Sequence, residues 1–145
     1  MPDVVRLFIK TSLIYFVLTF LLGALLLTSP EFVASYFSPA LVTIHVHMGT
    51  VGWLGLMVMG VAYWMFPLDK ARFKDTRGRY HKGLALTNYW LVNGGLILRI
   101  VVELFPFSQA SLLPRALLPI SAVSQAAGGV LFLFCIWSRI RGFGE

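Results

Sequence analysis

The chain has 145 residues, 58% of them apolar and only 12% charged, and its 12 Lys and Arg against 6 Asp and Glu give a formal net charge of +6. Those proportions exclude an ordinary soluble globular domain, and the apolar residues gather into four runs with little chain between them. The expectation is an all-α membrane protein: a single domain over 1–145, a four-transmembrane-helix bundle with spans near 4–28, 41–66, 84–105 and 116–138, each reaching the ~20 residues that cross hydrocarbon.

The first run, Val4 to Thr28, has Arg6 and Lys10 at its start, as a secretory leader would. No small-residue cleavage site follows it, and Pro30 reads as the turn that stops a helix, so this run is a true span.

The second run opens with His45-Val46-His47 and continues Met48-Gly49-Thr50-Val51-Gly52-Trp53. Imidazole is a poor guest in hydrocarbon, so two of them point to a bound metal or haem; the plainer alternative is that each bonds to a neighbouring helix. At ~100° per residue the two rings point ~200° apart, and they cannot share one metal from this segment alone. Gly49, Gly52, Leu56 and Gly60 extend the His45 side. Small residues there leave room for a flat macrocycle or let another helix pack closely, and spacing allows both. Tyr63, near the far end, is a candidate proton or quinol contact.

Lys70, Arg72, Lys74, Arg77, Arg79 and Lys82 lie between the second and third runs, and Arg139 and Arg141 follow the fourth. With Arg6 and Lys10 they fall on one side of a four-helix bundle. The positive-inside tendency makes that side cytoplasmic, so both termini are inside and the connections around Pro30 to Pro39 and Pro106 to Pro114 face outward. This expects a multi-pass protein of the cell inner (cytoplasmic) membrane, embedded in lipid, with the His pair in the outer half. The positive charge is then topological, and no nucleic acid partner is expected of so short a loop. His81 starts the third span, among water and headgroups.

Arg99 lies inside the apolar run Gly94 to Leu104, at a depth close to that of the histidines, with Glu103 four residues on. A charge there needs a partner. Asn88, Asn93, Ser121, Ser124 and Gln125 are the other polar residues of the last two spans, suited to bonds between helices or to a cofactor edge.

His45-Val-His47-Met-Gly-Thr-Val-Gly-Trp-Leu-Gly-Leu-Met-Val-Met-Gly-Val-Ala-Tyr63-Trp-Met-Phe-Pro67 resembles the tenth transmembrane helix of the catalytic large subunit of haem-copper oxidases and, more closely, nitric oxide reductases. The shared pattern is His-x-His, a glycine-rich middle, then an aromatic residue and a proline. Tyr89-Trp90-Leu91-Val92-Asn93-Gly94-Gly95-Leu96-Ile97 is similar to the helix that follows it in the reductase.

The resemblance implies His45 as ligand of a high-spin haem and His47 as ligand of a low-spin haem on the opposite flank, with Gly49 and Gly52 beside the macrocycle. Cys135 stands alone and no Cys-x-x-Cys-His occurs, so the implied type is haem b. Arg99 is the implied partner of anionic propionates; a pair with Glu103 is the alternative, and both can hold. The family's copper or non-haem iron ligands, and the early helix that completes its low-spin haem, have no counterpart. No copper is expected, and a binuclear centre cannot be built from one copy. A homodimer could complete the coordination, with His47 of each subunit clamping a shared haem and His45 holding one haem per subunit. The implied function is electron transfer, or binding or reduction of a small gas such as NO, with a cytochrome or quinol as electron donor. The alternative is a non-catalytic accessory protein that handles haem or metal or senses gas.

Overall fold

The computed structural model describes residues 1–28, 38–104 and 112–140. The turn at Pro30, most of the connections around Pro30 to Pro39 and Pro106 to Pro114, Phe105 and Arg141 lie outside the described residues. Among the described residues there are helices and no strands, and four helices are long and apolar enough to cross a membrane.

Helix α1 is Asp3–Thr28. Asp3 sits in its first turn, where a carboxylate favours the positive end of the helix dipole, and it pairs with Arg6 one turn on. Helix α2 runs in three continuous pieces: an α-helical Ser38–His47, a π-helical Met48–Gly55 and an α-helical Leu56–Met65. It stops where Phe66 turns extended at ψ 153°, as the residue before Pro67 must to avoid a clash with the proline ring. Helix α3 is Lys82–Leu104 and helix α4 is Leu112–Ile136, closed by a 3-10 turn over Trp137–Arg139. Pro114 lies in the first turn of α4, whose N–H groups have no helical acceptor anyway; Pro119 stands inside the helix.

The surface is apolar where a soluble protein would be polar. Leu13, Ile14, Val17 and Leu21 of α1, Val123, Val130 and Phe134 of α4 and Trp137 in the turn after it are all exposed. Ser12, Asn88, Asn93 and Ser121 turn inward instead, an arrangement suited to a hydrocarbon surround. Phe8 packs on Tyr63 and Tyr89 with ring centroids 5.6 and 5.3 Å apart, joining α1 to α2 and α3. Helices α3 and α4 close on each other through small residues. Side chains and backbone of α4 crowd Gly95, and Val92 and Leu91 crowd Gly128. Asn88 Nδ2 donates to Gly128 O at 2.5 Å and Ser124 Oγ to Leu91 O at 2.7 Å across that seam.

The start of α1, the connection 66–81 and the end of α4 meet at one end of the bundle. Arg139 holds it together: wholly buried, it donates to the carbonyls of Tyr63, Phe66 and Pro67 and to that of Arg79. Three of those oxygens belong to the end of α2 and its exit, so a buried cation caps the negative pole of that helix.

Candidate functional site

His45 and His47 sit in the last turn of the first α-helical piece of α2, directly before the π-helical stretch. In that stretch the bonding lengthens by one residue, and Leu56 N–H still reaches Val51 O. π-Bulges inside α-helices recur at functional sites. The carbonyls just ahead of it are taken by side chains. His47 Nδ1 lies 2.9 Å from Thr43 O, and Thr50 Oγ1 donates to Val46 O at 2.7 Å.

His45 turns the other way, into α1, where its Nδ1 lies 3.1 Å from Thr19 O. A carbonyl oxygen only accepts, so Nδ1 carries the proton in both rings. In a neutral ring this leaves the lone pair on Nε2, the tautomer in which a protein carbonyl orients a metal-ligating imidazole. The ring of His45 is admitted by Gly23, because a Cβ at that position would stand 2.9 Å from Cε1. Both imidazoles are half-buried.

The glycine row below His45 is packed by α1. A Cβ on Gly49 would lie 3.2 Å from the Thr19 methyl, one on Gly52 2.7 Å from Tyr15 Cγ, and one on Gly60 2.8 Å from Phe8 Cβ. Of the two uses the spacing allows, close helix approach is the one present in this packing. Tyr15 is fixed where it crosses Gly52: its hydroxyl donates to Asn93 Oδ1 at 2.9 Å, and Asn93 Nδ2 donates to Tyr89 Oη at 3.1 Å. Thr11 Oγ1 completes this buried chain at 2.9 Å from Tyr89 Oη.

Arg99 is half-buried and its Nη2 lies 3.3 Å from Glu103 Oε1, the pairing expected four residues along a helix. Its Nε is buried with no hydrogen-bond partner, and so is Thr19 Oγ1. Leu96 meets Gly52, which sets the level of α3 against α2. Arg99 lies three residues further, ~4.5 Å along the axis, and His47 no more than ~7.5 Å from Gly52, so the two stand at similar depth.

Other sequence candidates lie apart from the histidines. His81 is exposed and its Nδ1 accepts the Leu84 N–H at 3.4 Å, at the start of α3. Tyr63 is wholly buried among Phe8, Tyr80 and Phe132, its hydroxyl 3.4 Å from Asn88 Oδ1, so no quinol reaches it in this packing. Among the described residues no three His, Cys, Asp or Glu converge as a metal-ligand group. Sequence reasoning did not single out Thr19 or Gly23, which seat His45, or the buried role of Arg139. A glycine and a threonine one turn apart in the first span are the only trace of the seat. No family model matches the chain, and neither a curated protein nor a solved structure matches it significantly.

Proposed function

We propose that this chain is a haem b-binding integral membrane protein, related to the nitric oxide reductase and haem-copper oxidase core, which acts in electron transfer or in binding or reduction of a small gas such as NO. One observation carries the reading. Two imidazoles on one membrane-crossing helix are each anchored through Nδ1 on a backbone carbonyl, leaving Nε2 as a bare donor on either flank. When bound, haem supplies a one-electron iron couple and, where one axial position is open, a site for a diatomic gas.

The residues divide that work unequally. His47 is oriented by its own helix, through Thr43, so it can face a second copy of the chain without disturbing the bundle. It is the proposed ligand of a haem shared across a homodimer axis. His45 faces a side already filled by Tyr15 and Thr19. Placing a macrocycle against Gly49 and Gly52 requires α1 to draw back from α2, which would expose the unpartnered Thr19 hydroxyl to the incoming group. Arg99 keeps a free Nε donor besides its bond to Glu103, as a propionate partner would need. The basic end is assigned to the cytoplasm, with both termini inside the cell inner membrane and the haems toward the outer face.

The filled His45 side favours a second reading, a non-catalytic accessory protein that handles haem or senses gas and binds a single shared haem through His47. Optical spectroscopy of protein purified from haem-replete cells tests both. A Soret band with one haem per two chains, abolished by His47→Ala and kept by His45→Ala, fits the shared site alone. Extra haem lost in His45→Ala, with a spectral shift on adding CO to the reduced protein, fits the gas-binding form. No Soret band in the wild-type protein ends the proposal.

A further inference from the structure

The basic end of the bundle contains a cavity of about 440 Å³ that the histidine site does not use. Arg77, Arg79 and Lys82 line it together with Asp3, Tyr80 and Trp64. The connection that carries the cations is folded, not a loose charged loop. Asp69 N–H donates to Gly78 O at 2.8 Å and Gly78 N–H to Phe73 O at 2.7 Å, and Thr76 Oγ1 accepts the Tyr80 N–H at 2.9 Å. Arg77 at φ 56° and Gly78 at φ 89° make the turn, and a side chain at Gly78 would meet Lys70 N at 2.9 Å.

Charge in the cavity is unbalanced. Among the described residues that line it the one carboxylate, Asp3, is engaged by Arg6. Arg79 Nε is buried with no partner, and the Arg139 guanidinium, 2.5 Å from Arg79 O, adds another cation behind the wall. Burial pushes the Tyr80 hydroxyl up from its ordinary pKa, so it stays neutral and can donate to an anion. Apolar side chains share the lining: Val4, itself buried, and Trp64, which is 45% exposed on α2 as an indole at a lipid interface would be.

We propose that this cavity binds a phosphate group, carried by the headgroup of an anionic phospholipid whose acyl chains run down past Trp64. Three cations around one pocket satisfy the phosphate oxygens, and the unpartnered Arg79 Nε becomes one of the donors. Zwitterionic lipid brings the same phosphate with a cation attached, which this cavity disfavours.

The full chain, delipidated in neutral detergent, is titrated with phosphatidylglycerol, phosphatidylcholine or inorganic phosphate, and bound lipid is counted by native mass spectrometry. The expected result is a preference for phosphatidylglycerol over phosphatidylcholine on the order of tenfold or more. Arg79→Gln should abolish most of it. Should that variant fold poorly, the double variant Arg77→Gln with Lys82→Gln, two exposed side chains, should cut it by roughly tenfold. The control Lys70→Gln with Lys74→Gln removes the same charge from exposed positions outside the cavity and should keep the preference. Equal loss in the control, or no discrimination by the wild-type protein, overturns the site. Inorganic phosphate at equal concentration displacing phosphatidylglycerol overturns the lipid as carrier.

Discussion

Replacing Arg139 by Met tests whether one buried cation closes the basic end of the bundle. The guanidinium spends its donors on four carbonyl oxygens: Nε on Pro67 at 2.9 Å, Nη1 on Tyr63 at 3.1 Å and on Arg79 at 2.5 Å, and Nη2 on Phe66 at 2.5 Å. Bonds from a charged donor contribute ~1.5–3 kcal/mol each, but four through one group do not add, and the variant also relieves the cost of burying the cation. Arg79 also lines a cavity at this end, so its carbonyl can be rehydrated in the variant. With about two carbonyls left dry at ~1–3 kcal/mol each, the loss is roughly 4 kcal/mol, or on the order of 10 °C in midpoint. Arg139→Lys keeps the charge but replaces a planar fork with a point donor, so about half that loss is expected. The assay uses the single cysteine. Cys135 is buried one helical turn before Arg139, so thiol labelling against temperature reports opening of this end, with helical circular dichroism as a second readout. An Arg139→Met midpoint within ~2 °C of wild type in both readouts would mean that this cation does not close the end of the bundle.

Gly128→Ala would set a Cβ 2.4 Å from Val92 Cγ2 and 3.1 Å from Val92 N, so α3 and α4 must part, at a cost of ~1–3 kcal/mol. Gly94→Ala meets nothing within 4 Å and should be neutral or stabilise by up to ~1 kcal/mol; thermal midpoints in the opposite order would contradict the seam described here. Tyr15→Phe strips the hydroxyl that donates to buried Asn93 Oδ1, and should lower stability by ~1–2 kcal/mol in chemical unfolding, whereas an unchanged curve would mean the bond contributes nothing.

The four long apolar helices were legible because a long apolar run has few other uses. The expected 4–28 and 84–105 match Asp3–Thr28 and Lys82–Leu104 closely. The expected 116–138 matches the apolar stretch Ala116–Arg139, and the helix that carries it starts earlier, at Leu112, since a proline in the first turn removes no helical bond. The π-helical stretch left no mark in the pattern of apolar residues, because it changes hydrogen bonding without changing which residue types suit the span. Arg139 was legible only as one charge in a basic cluster. That it turns inward depends on α2 and the connection before α3 presenting their carbonyls to one point, which no local pattern encodes. The glycine row marked a face and left its occupant open, and Tyr15 and Thr19 fill it from a helix that carries no motif of its own.

The two histidines differ in what holds them, and that difference decides how freely each can turn. His47 depends on its own helix alone, so displacing α1 leaves its orientation unchanged. His45 depends on Thr19 O and on the space at Gly23, so anything that separates α1 from α2 frees it. The separation is resisted at the level of Gly52, where the Tyr15 ring is wedged and tied to Asn93 on α3, and it is easier above that level, where Thr19 Oγ1 makes no bond. The π-helical stretch spans this boundary, from Met48 to Gly55. Movement at the His45 site would therefore begin at the end of α1 beyond Thr19 and uncover Gly52 only once the Tyr15 bond to Asn93 breaks.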